Sequence, residues 1–169
     1  MLAINLYSYV ENPFTPKAKF NFDLFKRHAH AAQRIMDDII DLELEKIDAI
    51  LDKINSDPED EEIKAVERNL WQKIRRKTIE GRRTGIGITA EGDMLAALNL
   101  RYGSDNAVDF AVEVQRVLAV EAYRSSVNLA KDRGAFPIYN TQRETNNPFI
   151  KRIKAEDEQL YNEMVTYGR

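Results

Sequence analysis

Three glycines close together, Gly85, Gly87 and Gly92, form the part of the sequence most suggestive of chemistry, because glycine-rich loops before helices bind phosphate. A dinucleotide-binding fingerprint has its third glycine three residues after the second, and Gly92 comes two residues too late. A P-loop continues with Lys and Ser or Thr, whereas Asp93 follows here and would repel phosphate. The spacing therefore favours scaffold: a strand over residues 84–89, whose glycines allow close backbone packing, and then a helix with Asp93 in its first turn.

A run of carboxylates resembles a metal site on a helix: Asp37, Asp38, Asp41 and Glu43. A di-metal helical bundle also needs a Glu-x-x-His pair, which the sequence lacks. Asp37 and Asp41 lie one turn apart on one helix face, where carboxylates more often meet solvent or pair with arginine. His28 and His30 lie on opposite helix faces, so they cannot chelate one ion together and are interpreted as packing or surface residues. No metal site is predicted.

A basic cluster follows further along the chain and could contact an anion: Arg68, Lys73, Arg75, Arg76, Lys77, Arg82 and Arg83. Acidic residues in the same segment offset these charges: Glu61, Glu62, Glu67 and Glu80. Only Trp71 lies among the basic residues as an aromatic, whereas nucleic-acid surfaces interleave the two types. The cluster is interpreted as a solvated helix face, and no direct nucleic-acid partner is expected.

The composition is that of an ordinary globular domain of 169 residues, 43% of them hydrophobic and 31% charged. The net charge of −3 does not favour wholesale binding to nucleic acid or membranes. No apolar run approaches the roughly 18 residues that span a bilayer, and the first residues lack the basic region of a signal peptide. The absence of cysteine excludes disulfides, iron–sulfur clusters and thiol chemistry carried by this chain. These features predict a cytoplasmic protein.

Hydrophobic periodicity predicts a mostly α-helical fold with one or two short strands, the first of which starts in residues 2–10. Helical spacing of apolar residues covers 22–54, 58–81, 93–100 and 105–133, and a further amphipathic stretch covers 157–164. The first helix could bend near residues 42–45. Pro58 suits the first position of the second helix, and Ser104 suits the cap of the fourth.

Several blocks of the sequence resemble the catalytic subunit of ribonucleotide reductase, most closely its adenosylcobalamin-dependent (class II) branch. The blocks are residues 3–10, 12–15, 32–34, 36–39, 82–102, 121–126, 129–131, 133–137 and 167–169. The strongest is Arg-Arg-Thr-Gly-Ile-Gly-Ile-Thr-Ala-Glu-Gly-Asp-Met, which contains the three glycines. The resemblance implies that this stretch is a barrel strand and a turn into a helix. It also implies that residues 1–169 are a single partial domain, a slice of the family's ten-stranded α/β barrel.

Enzymes of this family reduce ribonucleotides with a thiyl radical on a cysteine, further cysteines that supply electrons, and a phosphate-binding loop. The resemblance places these elements before Met1 and after Arg169, so no catalytic role is carried over to any residue of this chain. Met1, Leu2 and Ala3 are expected to line the substrate pocket. For the whole enzyme the resemblance implies adenosylcobalamin, a ribonucleotide substrate and a thioredoxin-type reductant. The partners of this chain are then the remaining segments of the catalytic subunit.

The isolated chain is expected to be catalytically inactive, to expose hydrophobic surface and to self-associate or need partners. Three origins remain open: a piece of a split enzyme, a truncated or miscalled gene, and a non-catalytic helical remnant or protein-interaction module. Two further alternatives remain open. The substrate is either a diphosphate or a triphosphate, and the enzyme uses either class II chemistry or a separate radical-generating subunit.

Overall fold

The computed structural model describes residues 1–169 as seven α-helices, four short strands and one 3-10 turn. The strands are β1 (Leu2–Asn5), β2 (Val10–Glu11), β3 (Lys19–Phe20) and β4 (Ile86–Thr89), and the 3-10 turn is Leu6–Tyr9. The helices are α1 (Phe22–Ser56), α2 (Glu61–Gly81), α3 (Glu91–Ala97), α4 (Asp105–Arg133), α5 (Thr141–Asn146), α6 (Pro148–Glu156) and α7 (Glu158–Tyr167). The predicted mostly helical fold is confirmed. None of the helices combines the length and the apolar character needed to cross a membrane.

The strands form two separate pairs. β1 and β4 are parallel, with Ile4 opposite Ile88, and all of α1 and α2 lies between them in sequence. β2 and β3 are antiparallel, with Val10 opposite Phe20. The expectation of at most two strands is therefore wrong, and the two additional strands have only two residues each.

The predicted strand start in residues 2–10 is confirmed, since β1 begins at Leu2, but the strand ends at Asn5 and a 3-10 turn follows. The side chain of Asn5 accepts a hydrogen bond from the Tyr7 N–H at 3.0 Å and starts the 3-10 turn. A continued strand would point Leu6 and Tyr9 to opposite faces, because side chains alternate along a strand. The turn instead lets both residues become buried.

Helices α1 and α2 form an antiparallel hairpin. α1 continues unbroken for 35 residues, including residues 42–45. Arg75 pairs with Asp48 across the hairpin, with 2.7 Å between Nε and Oδ1, and Arg68 donates to Asn55 at 3.1 Å. These two contacts hold the helices side by side near the tip.

Pro58 does not begin α2, so that prediction is wrong. The chain remains extended at Asp57 and again at Asp60, and α2 begins at Glu61. Glu61 and Glu62 then lie in the first turn, where the helix dipole favours negative charge. Acidic residues at the start of a helix are thus a better guide to its beginning here than the proline.

The predicted helix over residues 105–133 is confirmed as α4. The Ser104 side chain accepts a hydrogen bond from the Ala107 N–H, and the helix ends before Gly134. The tail, which we define as residues 134–169, differs from the prediction, because it forms three helices where the sequence predicted one amphipathic stretch. Asn147 ends α5 and also caps α6, and Asp157 ends α6 and caps α7. Helices this short carry too few residues for a periodic pattern, so their caps are the main local signal.

Two hydrophobic clusters hold these elements together. The larger one joins β1, the 3-10 turn, α1, α3 and the first half of α4, around the fully buried Phe25. The smaller one joins the second half of α4 to α6 and α7: Val120, Val127, Ile150, Ile153, Leu160 and Met164. The tail is therefore a packed part of the fold.

Gly168 ends α7 in a conformation that side chains rarely adopt, with φ of 82°. A Cβ added there would lie 2.5 Å from the Ala135 Cβ. Gly168→Ala is therefore expected to lower the free energy of unfolding by about 1–3 kcal/mol, through backbone strain and overlap. Urea unfolding followed by circular dichroism measures it. Gly92→Ala is the matched control, since nothing lies within 4 Å of an added Cβ there. An equal loss in the two variants would contradict the prediction.

Candidate functional site

An open cleft of about 1260 Å³ lies between α1, the start of β4, the second half of α4 and the tail. It brings together residues far apart in sequence, including Gln33, Asp37, Arg82, Tyr123, Arg133 and Arg169. Apolar side chains from α4 and from residues 135–138 complete its wall. The cleft contains the buried carboxylate of Asp37 together with three arginines, Arg82, Arg133 and Arg169.

One group of charges in this cleft, the Asp37 cluster, consists of Asp37, Asp38, Asp41, Arg82 and Arg133. Asp37 is at its centre, with its side chain 11% exposed. Its Oδ1 accepts from Arg82 Nε at 2.7 Å, and its Oδ2 accepts from Arg133 Nη1 at 2.7 Å. Arg82 also donates to the Asp37 carbonyl at 2.9 Å and to Asp41 at 2.8 Å, and Arg133 donates to Asp38 at 2.8 Å. The cluster thus joins α1 to the end of α2 and the end of α4.

The electrostatics of the Asp37 cluster stabilise the charged forms of Arg82, Arg133 and Asp41. Hydrogen bonds to the carboxylates of Asp41 and Asp37 hold the pKa of Arg82 above its ordinary value. In return, the hydrogen bond from the Arg82 guanidinium lowers the pKa of Asp41. These carboxylates are therefore ion-pair partners, as one interpretation of the sequence proposed, and no group of acidic residues and histidines in the chain could hold a metal ion.

Arg82 has a second role, at the junction between α2 and β4. It follows the last residue of α2 in the left-handed region, with φ of 38°, where glycine is the usual residue. Its side chain is only 23% exposed, unlike most of the predicted basic face. The solvated-face interpretation holds for Arg76 and Lys77, which pair with Glu80, but it is wrong for Arg82.

The glycine stretch that first suggested phosphate binding forms β4 and the turn before it. Thr84 lies beside Gln33 of α1, with 3.1 Å between its Oγ1 and the Gln33 Nε2, which fixes the start of the strand. Asp93 lies in the first turn of α3, as predicted. Close backbone packing does not explain the glycines: the nearest atom to a Cβ added at Gly87 would be 4.0 Å away, an ordinary contact.

A second, half-buried charge, Arg169, also lines the cleft. Its Nε donates to Glu144 at 2.9 Å, and its guanidinium lies over the rings of Tyr123 and Phe136, 5.1 and 5.2 Å from their centres. Burial alone would lower the pKa of Arg169, but Glu144 outweighs it and keeps that pKa above the ordinary value. Sequence reasoning missed Arg133, Glu144 and Arg169 as partners. Of these three residues, only Arg133 had a local signal in the sequence, because it lies in the basic last turn of α4.

The two histidines lie outside the cleft. His28 Nδ1 lies 3.0 Å from the Tyr9 hydroxyl, and His30 lies beside Glu121 at 4.0 Å. Both act as packing or surface residues, as predicted. Within the cleft, each of the carboxylates Asp37, Asp41 and Glu144 is already bound to an arginine. The carboxylates of the cleft therefore serve as ion-pair partners that position strands and helices.

The residues expected to line a pocket lie on β1 or just before it. Leu2 packs against the larger hydrophobic cluster, on the face covered by helices. Met1 and Ala3 are exposed, and Ala3 lies opposite Gly87 of β4. Met1 and Ala3 thus belong to the open side of the strand pair, and the pocket-lining role stays a prediction.

Asp157 ties the tail to α4. Its Oδ1 accepts from the Leu160 N–H at 2.8 Å, and its Oδ2 accepts from Arg124 Nη2. Burial alone would raise the pKa of Asp157, but the hydrogen bonds from Leu160 and Arg124 outweigh it and lower the pKa below its ordinary value. The ionised form therefore stabilises the fold.

Asp157→Asn, which keeps the cap but removes the charge, is expected to lower the free energy of unfolding by about 0.5–1.5 kcal/mol near neutral pH. Because the folded pKa is depressed, this stabilisation is complete above the unfolded pKa of about 4 and is lost as the pH falls through the folded pKa. Urea unfolding measured from pH 7 to pH 2.5 checks it, with Glu158→Gln as the exposed neighbouring control. A difference from wild type that stays constant over this range would contradict the prediction.

Comparison with known proteins gives a consistent result. The family model described as "Ribonucleotide reductase, barrel domain" matches residues 2–168. A vitamin B12-dependent ribonucleoside-diphosphate reductase of Thermoplasma acidophilum is 27% identical over 137 residues, which are 81% of this chain and 14% of the relative. The ribonucleoside-diphosphate reductase subunit alpha of Chlamydia pneumoniae is 30% identical over 138 residues, 82% of this chain and 10% of the relative. A vitamin B12-dependent ribonucleoside-diphosphate reductase of Mycobacterium tuberculosis is 37% identical over 62 residues, 37% of this chain and 9% of the relative. The chain thus spans at most 14% of the length of these three relatives.

Proposed function

The chain belongs to the ribonucleotide reductase barrel family, and we propose that it is a scaffold segment of a catalytic subunit that reduces ribonucleotides to deoxyribonucleotides for DNA synthesis. The family match over residues 2–168 is the observation that carries this proposal. The parallel pair of β1 and β4 supports it, because each of these strands has one edge without a partner. Unpaired strand edges are sites where further strands add, as the closure of a barrel requires.

In this proposal the chain positions the chemistry and other segments perform it. The chain has no cysteine, so it forms neither a thiyl radical nor an electron-donating dithiol. The Asp37 cluster fixes the start of β4 relative to α1 and α4, and the parallel register fixes β1 beside β4. The open face of this pair, with Met1 and Ala3, would then form part of the wall around a ribonucleotide.

Adenosylcobalamin is the cofactor proposed for the complete enzyme, since two of the three relatives carry vitamin B12-dependent names. The side chains of this chain do not fit the role of binding it. The cleft has no histidine, and its carboxylates are already bound to arginines. We therefore assign the cofactor to the remaining segments. A reductase with a separate radical-generating subunit is the alternative for this part of the proposal.

Co-expression tests the proposal. The chain is produced with segments that supply the family's cysteines and phosphate-binding loop, and the purified mixture is given a ribonucleoside diphosphate or triphosphate, adenosylcobalamin and a thioredoxin-type reductant. We expect deoxyribonucleotide formation only when all segments are present. The matched control omits this chain alone.

The outcomes separate the alternatives. Reduction without added cobalamin, but with a radical-generating subunit, would retain the family function and replace the cofactor. A stable complex with no reduction under either condition would overturn the proposal and indicate a remnant. The absence of any complex would indicate an interaction module with other partners.

A further inference from the structure

Helix α6 turns its apolar side chains inward and its basic side chains outward. Ile150 and Ile153 are 0% and 3% exposed and belong to the smaller hydrophobic cluster. Since each residue advances about 100° around a helix, Lys151 and Arg152 then lie on the outward face, and Lys154 lies at its edge. All three basic residues are exposed. We call Lys151, Arg152 and Lys154 the α6 cations.

The α6 cations have no carboxylate partner. Three of the four carboxylates in residues 141–158 bind arginines from elsewhere: Glu144 binds Arg169, Glu156 binds Arg116 and Asp157 binds Arg124. Nearby carboxylates on α4 and α7 are also bound to arginine or lysine: Glu113, Glu121 and Glu163. Arg143 is a fourth exposed cation outside these pairs, and Glu158 is the one unpaired carboxylate. This surface is therefore positive, although the chain carries a net charge of −3.

Two of the α6 cations are held in place by aromatic rings. The Arg152 guanidinium lies 5.5 Å from the centre of the Phe149 ring, and the Lys154 ammonium lies 4.8 Å from the centre of the Tyr161 ring. The helix start is fixed as well, because the Asn147 side chain accepts from the Phe149 N–H at 2.9 Å. These contacts restrict the side chains before a partner arrives, which lowers the conformational entropy lost on binding.

We propose that the α6 cations form a docking surface for an acidic protein segment. Its carboxylates would accept hydrogen bonds from the guanidinium and ammonium groups, and arginine can bind a carboxylate through two such bonds. Residues 57–62 at the tip of the α1–α2 hairpin are acidic apart from Pro58 and repel such a segment, which steers it towards α6. This inference does not depend on reductase activity, so its test can fail or succeed independently of the proposed function.

The surface of α6 does not suit a membrane. Helices that bind a bilayer surface insert large apolar side chains next to their basic residues. The isoleucines of α6, Ile150 and Ile153, are buried within the fold. Strongly exposed apolar side chains lie elsewhere, for example on α2, where Ile63, Val66 and Leu70 are 50%, 71% and 54% exposed. Helix α6 therefore offers charge without a side chain to insert.

The aromatic rings beside the α6 cations do not suit nucleic acid. Proteins that bind single strands stack bases on open aromatic faces. The Phe149 ring contacts Arg152 and also lies 5.5 Å from the Tyr123 ring, centre to centre. The Tyr161 ring contacts Lys154. Carboxylates need only the outer N–H groups of the cations, so an acidic protein segment is the partner that this surface favours.

Binding of a fluorescein-labelled oligoglutamate peptide to the complete chain tests the proposal. Fluorescence anisotropy is measured at low ionic strength, where charges are least screened. We expect saturable binding, and we expect the Kd to rise at least about tenfold when all α6 cations become acidic: Lys151→Glu, Arg152→Glu, Lys154→Glu. The matched control makes the same change of net charge at exposed positions of α2 and should raise the Kd less than about threefold: Lys73→Glu, Arg76→Glu, Lys77→Glu.

Two further variants separate charge from folding. Lys151→Arg combined with Lys154→Arg keeps both charges and should leave the Kd within about twofold of wild type. The corresponding glutamine variants remove the charges without adding acidic groups, and they should weaken binding by an intermediate amount. Unchanged circular dichroism confirms that each variant folds.

The absence of cysteine permits a test of position. Ala155→Cys adds one thiol on the exposed outward face of α6. An oligoglutamate peptide that ends in cysteine should form a disulfide with it when oxidised glutathione is added. Asn69→Cys, on an exposed part of α2, is the control and should link much less.

Three results would overturn the proposal. The first is no saturable binding of oligoglutamate at low ionic strength. The second is an equal loss of binding in the α6 and α2 triple variants, which would show only the effect of net charge. The third is tighter binding of a thymidine oligonucleotide or of phosphatidylglycerol vesicles through the same cations, which would assign the surface to nucleic acid or to a membrane.

Discussion

Asp37→Ala is expected to lower the free energy of unfolding by about 2–4 kcal/mol, because it leaves two arginines without their shared carboxylate. Asp37 is buried, and its two oxygens accept from Arg82 and Arg133 at 2.7 Å each. Arg82 is itself only 23% exposed, so water replaces the lost contact incompletely. The measurement is urea unfolding followed by circular dichroism; guanidinium is avoided because its ions screen the charges.

Asp38→Ala is the matched control for this prediction. Asp38 is the neighbour of Asp37 in the same cluster, but its side chain is 51% exposed and binds Arg133 alone. Exposed ion pairs contribute about 0–1 kcal/mol, so this variant should be almost as stable as wild type. If the two variants lose equal stability, the central position of Asp37 has no special importance and the scaffold argument built on it fails.

Phe25→Ala is expected to cost about 3–5 kcal/mol, the range for removing a large aromatic side chain from a close-packed core. Phe25 has no exposed surface and contacts Tyr9 and Phe20 edge-on, with ring centres 5.1 and 5.4 Å apart. The truncation leaves a cavity where the 3-10 turn, β3 and α1 meet. Thermal and urea unfolding both measure the loss.

Phe14→Ala is the control for Phe25, because Phe14 is 63% exposed, and it should change stability by less than about 0.5 kcal/mol. If Phe25→Ala does not fold at all, Phe25→Leu gives a measurable intermediate, with an expected loss of roughly 1–2 kcal/mol. A loss at Phe25 no larger than the loss at Phe14 would show that the larger hydrophobic cluster does not depend on this ring.

Local hydrogen bonding made parts of the fold predictable. Ser104 and Gly134 bound α4 as expected, because a helix cap involves residues only a few positions apart. The start of α2 was mispredicted at Pro58 because proline is compatible with the first turn of a helix but does not require one. The strand predicted to start in residues 2–10 does form, but it ends at Asn5 because the 3-10 turn at Leu6–Tyr9 allows both Leu6 and Tyr9 to be buried, and burial depends on the rest of the chain.

The sequence predicted some of the residues of the candidate site but not which of them pair with one another. The sequence indicated that Asp37 and Asp41 share a helix face and could pair with arginine. It did not indicate which arginines, and Arg133 lies at the far end of α4. Likewise Arg169 and Glu144 come together only because α6 and α7 both pack against α4, which brings the end of the chain back to α5.

The sequence by itself determined the family, the predominance of helix, and the inability of this chain to carry thiol chemistry, because motif order, helical periodicity and residue type are all written locally. Only the tertiary structure decided that β1 pairs with β4 in parallel, that Asp37 is shared by two arginines, and that α2 keeps an exposed apolar side. Each of these depends on contacts between residues distant in the chain. Packing selects such contacts from many that the side chains alone would allow, by the burial and hydrogen bonding that the whole fold achieves together.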